Sequence, residues 1–419
     1  MPASRTLAQG ARSKGSGVVS DFSPTRADGL ARLARFVPKA GKTYASKRNY
    51  DRGPGGHEFV STLSPYLRHR IVTEAEVIDA VLGRHTRNGA EKFIQEVLWR
   101  TYWKGWLEMR PQVWTRYQSD LRRALDAVQT QSGLRRNWEA ACTGQTGIEP
   151  FDHWAQELVD TGYLHNHARM WFASIWVFTL RLPWELGADF FLRHLLDGDP
   201  ASNTLGWRWV AGLQTRGKTY LARPSNIEKF TEGRFSLPET SLAPDAPPVQ
   251  GPDLPPRMAA PQSDSVDPSK PTAFVLHEDD LSPGWILDKS ITPLGTALVT
   301  PSERLTPLTM APQVLAFREA ATREAAERWK DRLGPVATGL SDGAAIAAWA
   351  RDLGAEQIVT ARAPVGAVSE VLSEMAGIPV LQPMRTLDQV AWPHATAGFF
   401  KFREKIPQII GALQGLRAA

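Results

Sequence analysis

The 419-residue chain has a single cysteine, Cys142, so no intramolecular disulfide can staple it, and a reducing, cytoplasmic setting is expected. Long apolar runs are also missing. The longest, Trp171 to Leu180, falls well short of the roughly 20 residues that cross a bilayer, and Arg181 ends it. No membrane span is expected. The opening MPASRTLAQGARSKGSGVVS has basic and small residues without an apolar centre, which reads as part of a disordered leader over 1–40 and not as a secretory signal. There is no GxGxxG after a strand, no GxxxxGK[ST] and no repeat of fixed period, so no nucleotide fingerprint marks the chain. What remains is 42% hydrophobic and 22% charged, which excludes bulk disorder and suffices for two or three domain cores.

Charge divides the chain. Residues 1–236 carry 33 Lys+Arg against 23 Asp+Glu, a net +10, and residues 237–419 carry 16 against 21, a net −5. The basic part also holds 11 of the 15 tryptophans. Cations with stacking surfaces suit a polyanion, although an Arg-rich surface over an aromatic core has the same composition. Between Leu237 and Pro271 lie ten of the 31 prolines, with little apolar periodicity. That segment is an extended linker, because proline fixes φ and removes amide donors.

Before the linker, Ala90 to Arg110, Asp152 to Leu180 and Pro183 to Leu196 space their apolar residues near 3.6, which predicts an all-helical domain over 41–236. Beyond it, the short apolar runs Ala273 to Leu276, Ala297 to Val299, Gln357 to Val359 and Pro379 to Leu381 alternate with helical stretches at Ala344 to Leu353 and Val365 to Ala376. This predicts a smaller α/β domain with a mostly parallel sheet over 272–419.

Chemistry concentrates in the helical half. In TGYLHNHARM, Thr161 to Met170, helical spacing lets Asn166, Arg169 and Met170 share one face, offering an amide, a guanidinium and a thioether. LLDGDPASNTLGWRW follows at Leu195 to Trp209. Its Asp197-Gly198-Asp199 admits three readings: a divalent metal site with His165 and His167, a plain turn closing a helix, or a carboxylate partner for Arg169 beside a planar heteroaromatic cofactor. Ser61, Thr62, Leu63, Ser64 and Pro65 open a helical stretch, where hydroxyls and free amides can cradle phosphate or merely cap. In EVLWRTYW, Glu96, Trp99, Arg100 and Trp103 form one helix stripe, placing a carboxyl among tryptophans.

YASKR, STLSPYL, EVLWRTYW, TGYLHNHARM and LDGDPASNTLGWRW run in order from Tyr44 to Trp209, and together they resemble the flavin domain of the photolyase/cryptochrome superfamily. In that family the flavin domain normally follows an α/β domain, whereas here it comes first. WPHATAGFFKFREKIPQI, Trp392 to Ile409, resembles the segment that ends the family's usual N-terminal domain. The inverted order is similar to the short bacterial group called NewPHL, associated with light-driven repair of cyclobutane pyrimidine dimers, a preference for single-stranded DNA, and a second domain covering the flavin site.

The resemblance implies FAD as cofactor, with Tyr44, Ser61, Thr62, Leu63 and Ser64 at its phosphates and ribityl chain, and Arg100 and Trp103 nearby. Asn166, Arg169, Asp197, Asp199 and Asn203 would ring the isoalloxazine, with Arg169 and Asp197 paired and Asn203 facing N5. Glu96, with a raised pKa, would donate a hydrogen bond to a dimer carbonyl; Trp99, Met170 and Trp209 would wall the lesion pocket; Arg48 would hold a flanking phosphate. Trp207 and Trp184 match the inner members of the family's electron relay, and no tryptophan matches the outer one. Val60 stands where many relatives have threonine, and His167 where arginine is frequent, which weakens a phosphate contact or makes it pH-dependent. Arg216 and Lys218 offer further cations to DNA. The acidic second domain carries no antenna-chromophore signature. The expected protein is thus a monomeric carbon–carbon lyase, a deoxyribodipyrimidine photo-lyase acting on dimer-containing DNA, with no metal and no membrane. Its competitors are a cryptochrome-type photoreceptor, against which Glu96, Trp99, Asn166, Met170 and Trp209 argue, and repair of (6-4) photoproducts, for which relatives usually place histidines in the pocket.

Overall fold

The computed structural model describes residues 21–340 and 342–415. A helical unit comes first and begins ahead of residue 41: Thr25 caps helix α1 (Arg26–Phe36) by accepting from Asp28 N, and Leu33 and Phe36 are buried. The first part of the expected leader, 1–20, lies outside the described residues. Short helices α2 (Lys42–Lys47) and α3 (Ser64–Arg68) precede α4 (Glu74–Leu82), which opens on a capping box between Thr73 and Glu76. The unit continues with α5 (Glu91–Glu108), α6 (Gln112–Thr130), α7 (Ser132–Thr143), α8 (Glu149–Thr161), α9 (Asn166–Ser174), α10 (Trp184–His194), α11 (Pro200–Val210) and α12 (Pro224–Phe230).

The periodic stretch Asp152 to Leu180 is broken in two. Gly162, at φ 70°, closes α8 in the left-handed conformation that glycine adopts without strain. That break lets α9 start afresh at Asn166. A π-helical turn, Ile175–Thr179, follows α9 and buries Trp176 in an aromatic core with Phe151, Phe172 and Phe190.

The linker runs along the helical unit, where Val249 N donates to Ala211 O and Met258 N to Met109 O. It enters a five-stranded sheet, all parallel, ordered β3-β2-β1-β4-β5: β1 (Thr272–His277), β2 (Pro293–Val299), β3 (Val336–Ala337), β4 (Gln357–Thr360) and β5 (Val380–Leu381). Central β1 is buried at every position, as expected of a strand covered on both faces. The two-residue β3 escaped the sequence pattern. Helices Pro312–Arg328, Gly343–Asp352 and Ala367–Ser373 cover the sheet, and the chain ends in a helical segment over Thr386–Gly415 that packs on α5.

The two units share buried surface and buried charge. Gly105 of α5 admits Trp392 so closely that a Cβ there would stand 2.7 Å from its ring. At the carboxyl end of β1, His277-Glu278-Asp279-Asp280 meets Arg68-His69-Arg70 from the end of α3. Arg68 pairs with Asp279, Arg70 Nη2 donates to both Asp388 oxygens at 2.7 Å, and His69 Nδ1 lies 2.7 Å from Glu278 O. Arg385 and Arg318 complete the network on Asp280 and Glu278, at 2.5 and 3.3 Å. All of these carboxylates are buried, so each needs its guanidinium.

Candidate functional site

The stripe Glu96, Trp99, Arg100 and Trp103 is half-buried on α5, whose other residues are buried apart from Glu91 and Lys92 at its start. Opposite it, His165 caps α9 by accepting from His167 N at 3.2 Å, which fixes the start of the helix. Asn166, exposed in the first turn of α9, donates from Nδ2 to Glu96 Oε1 at 3.3 Å, and Arg169 and Met170 are half-buried one turn on. Just past α2, Arg48 Nη1 stands 3.6 Å from Glu96 Oε2, so its charge faces this carboxyl. Burial pushes the Glu96 pKa up, and Arg48 offsets only part of the rise.

The floor is the turn from α10 to α11. Arg169 Nη1 donates to Asp197 Oδ2 at 3.0 Å, Arg100 Nη2 reaches the same oxygen at 3.4 Å, and Arg100 Nη1 pairs with Asp199. Burial alone would push the Asp197 carboxyl up; Arg169, then Arg100, outweigh it and hold the pKa below the usual range. Asp199 caps α11, accepting from Ser202 N at 2.8 Å, so the motif starts a helix and does not close one. The metal reading is corrected as well. His167 is stacked on Trp171 and held by Asn49 O and Tyr220, His165 stacks on His57, and no three metal-ligating side chains converge among the described residues. Burial lowers the His167 pKa, which leaves it a poor substitute for a phosphate-binding arginine.

At the hydroxyl turn, Ser61 Oγ accepts from Leu63 N at 3.3 Å and Thr62 takes a positive φ of 50°. Arg32, unremarked in the sequence, donates to Thr62 Oγ1 at 3.3 Å and brings a guanidinium to this turn, its charge shared with Asp28 at 3.0 Å and Asp21 at 3.2 Å. Ser64 begins α3, and its hydroxyl helps keep Asp197 ionised. The Tyr44 ring is buried edge-on against Phe36 and Phe93, with the Arg48 guanidinium 5.9 Å above it, so its ring serves the core. Asn203 Nδ2 is spent on Ala188 O at 2.7 Å, leaving Oδ1 as the acceptor. Trp103 packs 5.3 Å from Trp99.

Trp209, half-buried, stacks on Tyr220 with ring centroids 5.9 Å apart. Trp99 carries a partner from the other unit: Phe399 lies parallel to it, with ring centroids 3.6 Å apart and planes at 11°. No local pattern ties residues 300 positions apart. Trp207 is buried among Phe172, Trp176 and Phe191, and its Nε1 has no partner among the described residues. Trp184 begins α10 and neighbours Tyr117 at 5.6 Å. Arg216 is tied to Asp253 of the linker, which reduces the charge it can offer to DNA, whereas Lys218 is exposed.

These groups fit the flavin dinucleotide expected from the sequence. Buried Asp197 Oδ1 has no hydrogen-bond partner among the described residues and can accept from a ring N–H. Arg169 beside it can donate to a ring carbonyl, Asn203 Oδ1 can accept from a second ring N–H, and Arg32 with the 61–64 turn suits phosphate. Residues 93–233 match the family model described as the FAD binding domain of DNA photolyase. The chain is 34% identical over 203 residues to a deoxyribodipyrimidine photo-lyase of Thermus thermophilus, covering 46% of this chain and 43% of that protein. To its counterpart from Streptomyces griseus it is 32% identical over 212 residues, covering 48% and 45%. Among solved structures, a class III photolyase from Agrobacterium tumefaciens matches with a TM-score of 0.42 at 29% identity, covering 51% of this chain and 44% of that one. A Synechocystis cryptochrome matches with 0.41 at 25%, covering 51% and 44%. The chain thus spans under half the length of the relatives it matches.

Proposed function

We propose that this chain, which belongs to the photolyase/cryptochrome superfamily through its FAD-binding helical unit, splits cyclobutane pyrimidine dimers in DNA when illuminated, with a preference for single strands. The observation that carries the reading is the placing of the Glu96 carboxyl, half-buried on the stripe it shares with Trp99, with Asn166 Nδ2 at 3.3 Å and Arg48 Nη1 at 3.6 Å, where burial raises its pKa. A carboxylic acid at this place has a direct use in holding a dimer carbonyl, which favours repair over a receptor that only changes its flavin's redox state.

FAD, when bound, supplies the light absorption and the electron. The protein supplies placement. Arg169, Asp197 and Asn166 would orient the ring, Asn203 would offer it Oδ1 as an acceptor, and the 61–64 turn with Arg32 would hold the phosphates. Protonated Glu96 donates a hydrogen bond to a dimer carbonyl and favours negative charge there. Arg48 lies close enough to Glu96 to lose its ion pair to an incoming phosphate, which would raise the Glu96 pKa further on DNA binding. Enzymes of this kind act on flipped-out bases, at a cost of a few kcal/mol that falls where the strand is already unpaired. That the helical unit precedes the sheet supports the resemblance to the NewPHL group and, with it, the preference for single strands.

The test compares wild type with Glu96→Ala on dimer-bearing oligo(dT) under blue light. Expected are dimer splitting by the wild type and a lower yield, with flavin content kept, in the variant. Wild-type repair should decline as pH rises through the elevated Glu96 pKa, and Glu96→Gln, which keeps a donor, should flatten that decline. Equal yields from Glu96→Ala and wild type would contradict the role, and loss of the flavin from Glu96→Ala would make Glu96 a cofactor residue instead.

A further inference from the structure

The segment that carries Phe399 continues with Phe400, 74% exposed and the most exposed large apolar side chain among the described residues. Its position is fixed from α5. Tyr102 Oη donates to Ala397 O at 2.7 Å, Arg110 Nη2 donates to Thr396 O at 3.0 Å, and Phe399 stacks on Trp99. The short helix Phe399–Arg403 therefore cannot drift from the candidate lesion pocket, and an apolar ring stands in water beside it.

The side chains around that ring are cationic. Lys401 and Lys405 are exposed, Arg403 is half-buried with its guanidinium 5.4 Å from the Phe400 ring, and none of the three enters an ion pair among the described residues. Glu404 is the one carboxylate of the turn. This concentration of positive charge is unexpected in a half whose net charge is −5. A free aromatic face ringed by unpaired cations is the chemistry that holds single-stranded nucleic acid, through base stacking and phosphate contacts. A protein partner would be expected to ask for a larger apolar patch.

We infer that the Phe399–Lys405 turn belongs to the DNA-binding surface: Phe399 braces Trp99 from behind, Phe400 stacks on a base flanking the dimer, and Lys401, Arg403 and Lys405 hold the adjoining phosphates. The α/β unit would then complete the substrate site besides covering it. This rests on the DNA-repair reading above.

The experiment is fluorescence anisotropy of a labelled oligo(dT) carrying one dimer, titrated with full-length protein over a range of salt concentrations. Visible flavin absorbance serves as the check on folding. Phe400→Ala should weaken binding about tenfold, with Phe400→Trp restoring it. In Lys401→Gln/Lys405→Gln the slope of log affinity against log salt should shrink by about 0.7 for each lost phosphate contact. Wild-type affinity in both Phe400→Ala and the double variant would overturn the inference while leaving the repair reading intact. Failure of the flavin-loaded wild type to bind the strand would overturn both.

Discussion

Two polar clusters in this molecule are built from similar charged residues and end in opposite states. The one between α5, α9 and α11 keeps its polar groups partly open: Glu96, Asn166, Arg169 and Trp209 all retain solvent access. The other lies where the order of a parallel sheet reverses, at the carboxyl ends of β1 and β4, the place such sheets commonly bind ligands. Here that edge is filled by the protein itself. Arg68 and Arg70, each 2% exposed, sit on the Glu278-Asp279-Asp280 run, and Arg68 Nε and Arg318 Nη2 also donate to Gly198 O at 3.0 and 3.1 Å. One cluster has become the brace of the other, because Gly198 lies between the two aspartates of the flavin-site turn. An antenna chromophore at this edge would have to displace buried ion pairs.

The comparison breaks most severely at Arg70. Arg70→Ala leaves Asp388 and Glu74 buried without their shared cation, while Asp280 keeps Arg385, and chemical denaturation should report a loss of about 3 to 5 kcal/mol. Asp197→Asn acts on the open side. It unpairs Arg169 and weakens Arg100, so purified protein should carry far less FAD at a smaller stability cost, on the order of 1.5 to 3 kcal/mol; undiminished flavin absorbance would contradict the pairing. The gentlest probe is Lys104, buried between the two sites, whose Nζ has no hydrogen-bond partner among the described residues. Burial, followed by Arg70 and Arg68, pulls its pKa down to about 7. The folded state then binds fewer protons than the unfolded chain above that value, so the lysine penalises folding fully below pH 7, and stability climbs as pH rises from about 7 toward the unfolded value. Lys104→Met should remove this climb in thermal unfolding midpoints measured from pH 6 to 9.

Much of the open site was legible because its chemistry is local. Asn166, Arg169 and Met170 share a face by helical spacing, and the five motifs fall within one unit. The plugged site was not legible, since it joins Arg68-His69-Arg70 to an acidic run about 210 residues later, and neither stretch announces its partner. Arg48 against Glu96, Arg32 at Thr62 and Phe399 on Trp99 are likewise long-range contacts without period or motif. The start of the fold did leave a signal, Thr25 three residues before Asp28, which the basic composition of the leader obscured. In Asp197-Gly198-Asp199 the spacing alone left three chemistries open, and only the positions of Arg100, Arg169 and Ser202 separate them.

The central claim is that the open cluster on α5, α9 and α11, with its flavin, uses light to act on damaged thymines. Its most direct test follows the ultraviolet absorbance of dimer-bearing oligo(dT) mixed with flavin-loaded, reduced protein, in darkness and then under blue light. The account predicts recovery of thymine absorbance only in the light; an absorbance that stays flat under illumination, with the flavin bound and reduced, would contradict it.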